Sequence, residues 1–568
     1  MKKFKSISIF LVPELSVLCL AVMCALPASA QEAAAQPGVL HNPAANQAVH
    51  FAISPPLREM AVEVAPFYGF HEARPVLRPK LQHLMEAARQ GQGTVEDGAL
   101  QSSGGPLVSA TVGLNLLGVG DGFPNYSVAV APSDVNLAVG DTQVVQWVNL
   151  SYAVFDKTTG GIVAGPISGN AFWAPLVGSA CATNNDGDII AQWDKIAHRW
   201  VMAQNVFVPP YYTCVAISKT SDATGSYFLY EFPQPGFPDY PKWGVWPDAY
   251  YQAQNDYGPS GNSFIGVNAC AYERSKMLVG DPSAMQICFL DNSAGTLFDD
   301  SMLPSDFDGT QLPPAGEPNV FLGSIDNGPA TGETHLYKYL FHVDFTHPSN
   351  STFTGVNGTM PIAVSKFGLA CGGFGACIPR KGVADRLDSL GDRLMYRLAY
   401  RNFVTTHEGT ETDQHQVWMV SHSVTAGTSS VGERWYEFHA KETGTTLTKY
   451  QSGTFHPDKN YRWMGSIAMD KMGDIALGYS ASGSTLYPSI RFSGRVPSDL
   501  HGTMEAEATI VSGAGSQVGT SNRWGDYTSM AVDVQDDCTF WYANQWYKLT
   551  TSFDWSTELA SIKFPTCH

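Results

Sequence analysis

The sequence has few basic residues for its length. It carries 34 Lys and Arg against 52 Asp and Glu, which gives a formal net charge of −18. Nucleic acids and anionic membrane surfaces are bound through clustered positive charge, so this composition argues against both kinds of partner. The acidic excess suits solubility outside the cell and is compatible with calcium binding.

Motifs of several familiar enzyme classes are also missing. The sequence contains no Gly-x-Ser-x-Gly elbow, no His-Glu-x-x-His helix and no Gly-rich phosphate-binding loop. These absences lower the expectation of a serine hydrolase, a zinc protease or a nucleotide-dependent enzyme. No Cys-x-x-Cys pair occurs either, so a zinc or redox site built from cysteines is not expected.

The one long apolar run lies at the N-terminus. Three lysines among the first five residues precede an apolar stretch over residues 7–26, and the small residues of ALPASA follow it. This order predicts a signal peptide over residues 1–30, cleaved after Ala30, with an N-terminal membrane anchor as the alternative. No later apolar run reaches the roughly 18 residues that a membrane helix needs. The mature protein is therefore expected to be secreted, extracellular or periplasmic, with no membrane span.

Eight cysteines follow the signal segment, and an even number in an exported chain predicts disulfides. Pairs close in sequence are plausible, namely Cys270 with Cys288 and Cys371 with Cys377. Cys538 is placed to fix the tail through Cys567. Spacing alone does not decide the connectivity of the full set.

Aromatic residues form 12% of the chain and glycines number 54, whereas long helical patterns are few. This composition predicts a mainly β protein. Residues 31–105 are rich in Ala, Gln and Pro and are predicted to be a leader or linker, partly helical around residues 78–92 or disordered. A cleaved propeptide is the alternative. Residues 106–568 are predicted to form one domain.

Two segments near the C-terminal end repeat one pattern. Ser466, Asp470, Asp474 and Tyr479 match a second set at one constant interval, namely Ser529, Asp533, Asp537 and Tyr542. Each set consists of a strand, a turn that begins with Asp, and a second strand that carries an aromatic residue. An Asp at the start of a turn can accept a hydrogen bond from the backbone two residues on, which favours a tight hairpin.

Weaker copies of this hairpin lie earlier in the chain, around Asp156, Asp194 and Asp248. Repeated strand units in a chain of this length favour radial repetition, which protects strand edges. The predicted fold is a single all-β propeller of six or seven blades with Asp-containing hairpin turns. A large double β-sandwich and a β-helix are the alternatives.

Several long strings are also similar to a family of largely uncharacterised exported bacterial proteins with a β-propeller-like fold. The strings are FPDYPKWGVWPDAYY, LDSLGDRLMYRLAYRNF, RWMGSIAMDKMGDIALGYS, YPSIRFSGR and RWGDYTSMAVDVQDDCTFWYANQWY. The resemblance implies a propeller-like fold without an assigned reaction. A generic similarity to sialidase-type propellers also exists, but the turn signature Ser-x-Asp-x-Gly-x-Thr-Trp is absent.

Polar and aromatic residues just before the repeated strands are candidates for a central site. Those predicted to take part in catalysis are Asp526, Asp248, Asp392 and Tyr527. Those predicted to bind substrate are Arg462, Arg523, Arg393, Trp243 and Trp524. The alternative is that the Arg–Asp pairs brace neighbouring blades and that the tryptophans fill the cores between blades.

Such a set of residues is typical of sugar recognition. Aromatic faces stack on pyranose rings, Arg binds carboxylates, and paired carboxylates act as acid and base. The predicted function is recognition of an extracellular carbohydrate, and a glycoside hydrolase or polysaccharide lyase reaction is the cleavage that this set of residues would support. The alternative is a non-catalytic binding or adhesion module for a protein or glycan, which would lack two converging carboxylates. A monomer is expected.

Calcium is the one cofactor that the sequence suggests. Hard oxygen ligands alternate around Gly187, and an earlier turn adds one more, so the predicted ligands are Asn184, Asp186, Asp188 and Asp134. No glutamate follows at the distance that an EF-hand requires. The alternative is that these residues only form turns.

Overall fold

The computed structural model describes residues 38–60, 72–73, 77, 95–259, 261, 263–292, 300–324, 332–373, 375–407, 411–427, 430–441, 444–519 and 522–568. This part of the chain is almost entirely β. Its helical segments are short, namely the α-helices α1 (Gly169–Trp173) and α2 (Arg274–Met277) and the 3-10 turns Leu57–Glu59, Pro348–Asn350, Val356–Gly358 and Ala370–Gly373. None of the helices in the described residues is long and apolar enough to cross a membrane.

The N-terminal strands are β1 (Val39–Leu40), β2 (Ala44–Gln47), β3 (His50–Ile53), β4 (Glu72–Ala73), β5 (Leu100–Gln101), β6 (Thr111–Gly118) and β7 (Val130–Ala131). The antiparallel sheets that follow begin with β8 (Val135–Val139), β9 (Gln143–Val148), β10 (Ser151–Asp156) and β11 (Ile162–Ser168). The next sheet contains β12 (Ile190–Asp194), β13 (Arg199–Val206), β14 (Tyr212–Ser218) and β15 (Tyr227–Pro233). It is followed by β16 (Phe237–Val245), β17 (Tyr250–Tyr257), β18 (Phe264–Tyr272) and β19 (Met285–Asp291).

The middle of the chain forms a larger sheet. Its first part contains β20 (Asp300–Asp308), β21 (Asn319–Ser324), β22 (Glu333–His342), β23 (Thr352–Thr354) and β24 (Pro361–Leu369). A hairpin of β25 (Ala376–Arg380) and β26 (Val383–Asp388) follows. The second part contains β27 (Met395–His407), β28 (Glu411–Ala426), β29 (Ser430–Lys441) and β30 (Thr448–Phe455). The two parts are joined because β20 and β27 pair as parallel strands.

The last strands form two further sheets. The first contains β31 (Tyr461–Met469), β32 (Ile475–Ser482), β33 (Ser489–Arg495) and β34 (Ala508–Val511). The second contains β35 (Ser529–Val532), β36 (Thr539–Trp546) and β37 (Ser556–Lys563), and β6 completes it by pairing with β37. A strand that precedes β8 therefore shares one sheet with the last strands of the described chain.

The first strands of these groups form a closed ring. β8 contacts β12, and the contacts continue in chain order through β16, β20, β27, β31 and β35, which in turn contacts β8. All five residues of β8 are buried, as expected for a strand that is covered on both faces. Antiparallel sheets arranged around a closed ring are typical of a propeller, and the fold is all-β and propeller-like.

The N-terminal segment adds outer strands to the sheets. β3 pairs with β15, β2 with β19, β1 with β23 and β5 with β30. Each pairing covers strand edges that would otherwise offer unpaired backbone groups to another chain. Part of the predicted leader thus belongs to the sheets, whereas its predicted helix lies outside the described residues.

The turn geometry agrees with the repeat seen in the sequence. The Asp470 carboxylate accepts a hydrogen bond from the backbone N–H of Met472 (2.8 Å), and that of Asp533 accepts one from Gln535 (2.8 Å). β31–β32 and β35–β36 are the corresponding hairpins. The two segments are confirmed as copies of one hairpin.

Disulfides and tryptophans hold the sheets together. The disulfides are Cys181–Cys214, Cys270–Cys288, Cys371–Cys377 and Cys538–Cys567. The three pairings favoured from the sequence are confirmed, and four disulfides fit an oxidising, non-cytoplasmic environment. Ten of the 13 tryptophans are less than 2% exposed, so most of them fill the cores between sheets.

Candidate functional site

Three polar residues at or near the starts of the first strands have an unusual backbone conformation. Asp134 (φ 46°), Asp188 (φ 49°) and Tyr240 (φ 55°) all have a left-handed backbone conformation, which is uncommon for residues other than glycine. They lie just before β8, just before β12 and inside β16. Side-chain contacts hold this shape, since the Asp188 carboxylate accepts a hydrogen bond from the Tyr240 backbone N–H (2.9 Å).

Three carboxylates converge at this end of the ring. One oxygen from each of Asp134, Asp188 and Asp526 lies within 4.8 Å of the others. Asp134 is 2% and Asp188 9% exposed, whereas the Asp526 side chain is 16% exposed. Asn149 donates a hydrogen bond from Nδ2 to Asp134 Oδ2 (3.0 Å), which orients that carboxyl group. The cluster therefore joins residues from three distant parts of the chain.

Basic and aromatic side chains surround these carboxylates. Arg523 forms an ion pair with Asp526, with Nη2 and Oδ1 2.5 Å apart. Lys242 is fully buried, and its Nζ lies 3.3 Å from the centre of the Tyr240 ring and 4.1 Å from that of Tyr527. These distances are within the range of cation–π attraction. The cluster thus lies beside two cationic groups and two phenol rings.

A second ion pair lies on the other side of Tyr240. The Arg393 guanidinium lies 4.6 Å from the centre of that ring and pairs with Asp392 (Nε to Oδ1, 3.0 Å). Arg393 Nη2 also donates a hydrogen bond to the Leu77 carbonyl (3.2 Å). β4 pairs with β7, which lies just before Asp134. Parts of the N-terminal segment therefore reach this end of the ring.

Burial and mutual repulsion perturb the protonation of the cluster. Burial is the main cause that raises the pKa of Asp134 well above its usual value, and the nearby Asp526 carboxylate adds to it. The same two causes raise the pKa of Asp188. Burial lowers the pKa of Lys242 to about 7. Groups whose pKa values are displaced by burial and charge are common in functional sites.

The structure brings several predicted residues together. Asp526, Tyr527 and Arg523 from the predicted site lie with Asp134 and Asp188, which the sequence suggested as calcium ligands. Asp392 and Arg393 lie nearby, around Tyr240. Residues expected to serve two separate purposes thus form one cluster.

Four other predicted residues lie elsewhere. Asp248 follows the far end of β16 and accepts hydrogen bonds from Tyr251 Oη (3.2 Å). Arg462 is buried in ion pairs with Glu507 and Asp458 (both 2.9 Å). These contacts fit the alternative in which such polar pairs stabilise the fold.

The two predicted tryptophans pack in cores between sheets. Trp243 stacks on Tyr272, with the ring centres 4.8 Å apart. Trp524 packs against Trp463 (5.5 Å) and donates a hydrogen bond from Nε1 to Ser480 Oγ (2.9 Å). Neither side chain is more than 1% exposed, so neither offers a free face for stacking in this structure.

Asn184 and Asp186 also lie apart from the carboxylate cluster. Asn184 donates a hydrogen bond to the Ala180 carbonyl (2.9 Å), and Asp186 accepts one from the Phe207 N–H (2.9 Å). The spacing pattern around Gly187 therefore contributes one residue, Asp188, to the cluster rather than a continuous loop of ligands.

Sequence reasoning missed Lys242 and Asn149. Lys242 lies between Pro241 and Trp243 in a string that was noted for its aromatic residues. A fully buried lysine leaves no signal in a single sequence, because lysines are usually exposed. The irregularity in the β16–β17 pairing between Asp239 and Lys242 was the structural cue, and it is not visible in the sequence.

Farther along the first strands, the space enclosed by the ring is narrow. A cavity of about 20 Å³ is lined by residues of the first strands, among them Gln192, Asp306, Tyr396 and Arg397. This volume is sufficient for about one water molecule. A large ligand therefore cannot occupy this part of the axis, and the carboxylate cluster at the strand starts is the candidate site.

Comparisons with known proteins give no family. No protein-family model matches the chain, and no curated protein matches it.

Among solved structures, a polysaccharide lyase shows a TM-score of 0.35 at 10% identity, covering 91% of this chain and 100% of the lyase. The WD40 domain of SCAP from fission yeast gives 0.34 at 8% identity, covering 75% of this chain and 82% of that domain. An α-L-arabinanase from Penicillium chrysogenum gives 0.27 at 10% identity, covering 58% of this chain and 94% of the arabinanase. These scores are all below 0.5, so the likenesses support no assignment of function.

Proposed function

We propose that the carboxylate cluster is the active site of an exported protein that binds an extracellular carbohydrate and cleaves it by acid–base chemistry. The observation that carries this proposal is the convergence of Asp134, Asp188 and Asp526 within 4.8 Å. The non-catalytic alternative was expected to lack converging carboxylates. Export follows from the predicted signal peptide over residues 1–30 and is part of the proposal.

The carboxylates are assigned different roles because their surroundings differ. Asp526 is the most exposed of the three and is paired with Arg523, so it acts as the nucleophile or base. Asp134 is buried and protonated more readily, so it acts as the acid. Retaining glycosidases hold two carboxyl groups roughly 5 Å apart, and the spacing of this cluster is compatible with that geometry. Arg523 orients Asp526 through their ion pair.

A lyase reaction at the same site is the variant of this proposal for an acidic polysaccharide. A lyase needs a cationic group that neutralises a uronate carboxylate, and a base that removes the neighbouring proton. Arg523 supplies the cationic group, and Asp526, the most exposed carboxylate of the cluster, supplies the base. The products distinguish the two reactions.

The second candidate function is calcium-dependent binding without cleavage. It is favoured by the burial of two of the three carboxylates, Asp134 and Asp188. Calcium takes six to eight hard oxygen ligands, and a bound cation would remove the repulsion among these groups. The ligand would then be an extracellular glycan or a protein.

We also propose that the propeller has seven blades and acts as a monomer. The blades begin with β8, β12, β16, β20, β27, β31 and β35, which follow one another around the ring. β6 supplies the outer strand of the last blade.

The decisive experiment is product release by the purified mature protein from a panel of neutral and acidic polysaccharides, with and without calcium. New reducing ends without new ultraviolet absorbance are expected for hydrolysis, and absorbance from an unsaturated uronate is expected for a lyase. Release of neither product from any polysaccharide would contradict cleavage and favour the binding protein.

A further inference from the structure

A second cavity lies at the outer edge of the sheet formed by β16–β19 and β2. Its volume is about 500 Å³, within the roughly 300–1,000 Å³ that is usual for small-molecule sites. The amide side chains that line it include Gln234 from the β15–β16 connection, Asn268 on β18, Gln286 on β19 and Asn46 on β2. No Asp, Glu, Lys or Arg among the described residues lines it, and His41 is the lining residue with an ionisable side chain.

The amide side chains in the wall are held by one another. Gln234 Oε1 accepts hydrogen bonds from Asn268 Nδ2 (3.1 Å) and from Gln254 Nε2 (3.2 Å). Gln286 Nε2 donates one to the Pro233 carbonyl (2.7 Å). Asn268 and Gln286 are each only 1% exposed and Gln234 is 8% exposed. Their orientation is therefore set before any ligand arrives, which reduces the entropy lost on binding.

A buried carboxyl group lies behind this wall. Gln254 Nε2 donates a second hydrogen bond to Asp256 Oδ1 (2.8 Å). Asp256 is fully buried, and this burial raises its pKa well above the usual value. Burial thus disfavours the negatively charged form of the carboxyl group behind the amides.

Apolar side chains complete the cavity. Leu40, Pro233 and Phe289 lie in its wall. A sugar ring presents apolar C–H faces and an equatorial rim of hydroxyl groups, each of which can donate and accept hydrogen bonds. Amide groups also donate and accept, whereas a charged ligand would find no Asp, Glu, Lys or Arg side chain in the wall of this cavity.

We propose that this cavity is a second ligand site, which binds a neutral saccharide unit of one or two rings. It is separate from the carboxylate cluster and does not depend on the activity proposed for that cluster. The N-terminal segment forms part of it, because Asn46 on β2 lies opposite Gln286 on β19. Loss of residues 38–53 would therefore remove one wall.

The test is calorimetric titration of the mature protein with cellobiose, maltose, lactose and xylobiose, and with digalacturonate as the charged comparison. The protein carries Asp526→Asn so that turnover does not consume the ligand. One variant adds Asn46→Trp, which fills the cavity from an exposed position. Its matched control adds Gln47→Trp, at the next exposed residue of β2, which does not line the cavity.

Binding of at least one neutral disaccharide is expected, with affinity at least about tenfold weaker in the Asn46→Trp protein and unchanged in the control. Digalacturonate should not compete. The inference is overturned if no neutral disaccharide binds up to about 10 mM, if both tryptophan variants lose binding equally, or if only digalacturonate binds. Product release by Asn46→Trp in the otherwise native chain should equal that of the native protein, which keeps this test separate from that of the carboxylate cluster.

Discussion

The backbone N–H of Asp526 donates a hydrogen bond to Asp134 Oδ1, 2.8 Å away, although 392 residues separate the two in the chain. Asp134 precedes β8, the first strand of the first sheet, and Asp526 precedes β35, the first strand of the last sheet. The carboxylate cluster therefore forms where the ring closes. A chain with an open ring would contain all these residues and still lack the site.

Replacing Asp526 by Asn should reduce product release at least about 100-fold, because the amide can act neither as nucleophile nor as base. The amide still reaches Arg523, and the backbone hydrogen bond to Asp134 remains, so the melting temperature should change little. The matched control is Asp248→Asn, at the far end of β16, which should retain activity. Equal losses of activity in both variants would contradict the assignment, and so would a loss in Asp526→Asn that follows thermal unfolding.

Calcium should raise the melting temperature if it binds the carboxylate cluster. A free concentration about 100 times the dissociation constant stabilises the folded state by about 2.7 kcal/mol, which differential scanning calorimetry detects easily. Asp188→Asn should abolish the shift, whereas Asp186→Asn should retain it because Asp186 lies outside the cluster. Identical melting in calcium and in chelator would rule out the calcium proposal.

The ionisation of Glu433 should lower the free energy of unfolding as the pH rises. Burial raises the pKa of this carboxyl group from 4.5 to about 8, so between these values the folded state holds a proton that the unfolded chain has lost. The stabilisation is fully present below pH 4.5 and is lost as the pH rises to about 8, at roughly 1.4 kcal/mol per pKa unit. Glu433→Gln should therefore melt higher than the native protein at pH 8 and at the same temperature near pH 4.

The control for this prediction is Glu59→Gln, at an exposed position. Its melting temperature should differ from that of the native protein by the same small amount at every pH. A constant difference for Glu433→Gln as well would show that this carboxyl group does not carry the effect.

Arg397 should be important for stability because it neutralises two buried carboxylates. Its Nη1 lies 3.0 Å from Asp306 Oδ2, and its Nη2 pairs with Asp308. Arg397→Met removes the guanidinium that pairs with both carboxylates and should lower the free energy of unfolding by about 3–5 kcal/mol. The comparison is Arg58→Met, in an exposed pair with Asp222, where about 0–1 kcal/mol is expected. Similar denaturation midpoints for both variants would contradict the proposed role of Arg397.

The repeated hairpins could be predicted from the sequence because local patterns determine them. An Asp that accepts a backbone hydrogen bond two residues on, as Asp470 and Asp533 do, leaves a visible signature between two apolar runs. Short cysteine separations were equally informative, since the Cys371–Cys377 pair closes a loop within one connection. The all-β class follows from such features together.

The composition of the candidate site depended on side-chain direction, which the sequence did not reveal. Successive residues of a strand point to opposite faces, so one irregularity in pairing exchanges the two sets. The pairing of β16 is irregular between Asp239 and Lys242. After this irregularity, Lys242 lies at the cluster and Trp243 lies in a core. Asp134 and Asp188 are predicted from the sequence as calcium ligands, but their approach to Asp526 depends on contacts between distant sheets.

The pairing of β6 with β37 also has a kinetic consequence. It joins Thr111 to Lys563, so two segments that lie far apart in the sequence must meet before the ring closes. Contacts so distant in sequence are costly to form and slow folding. Until these contacts form, β6 and β37 each have an unpaired edge that can pair with other chains. We therefore expect closure to limit the refolding rate, and aggregation during refolding to increase with protein concentration.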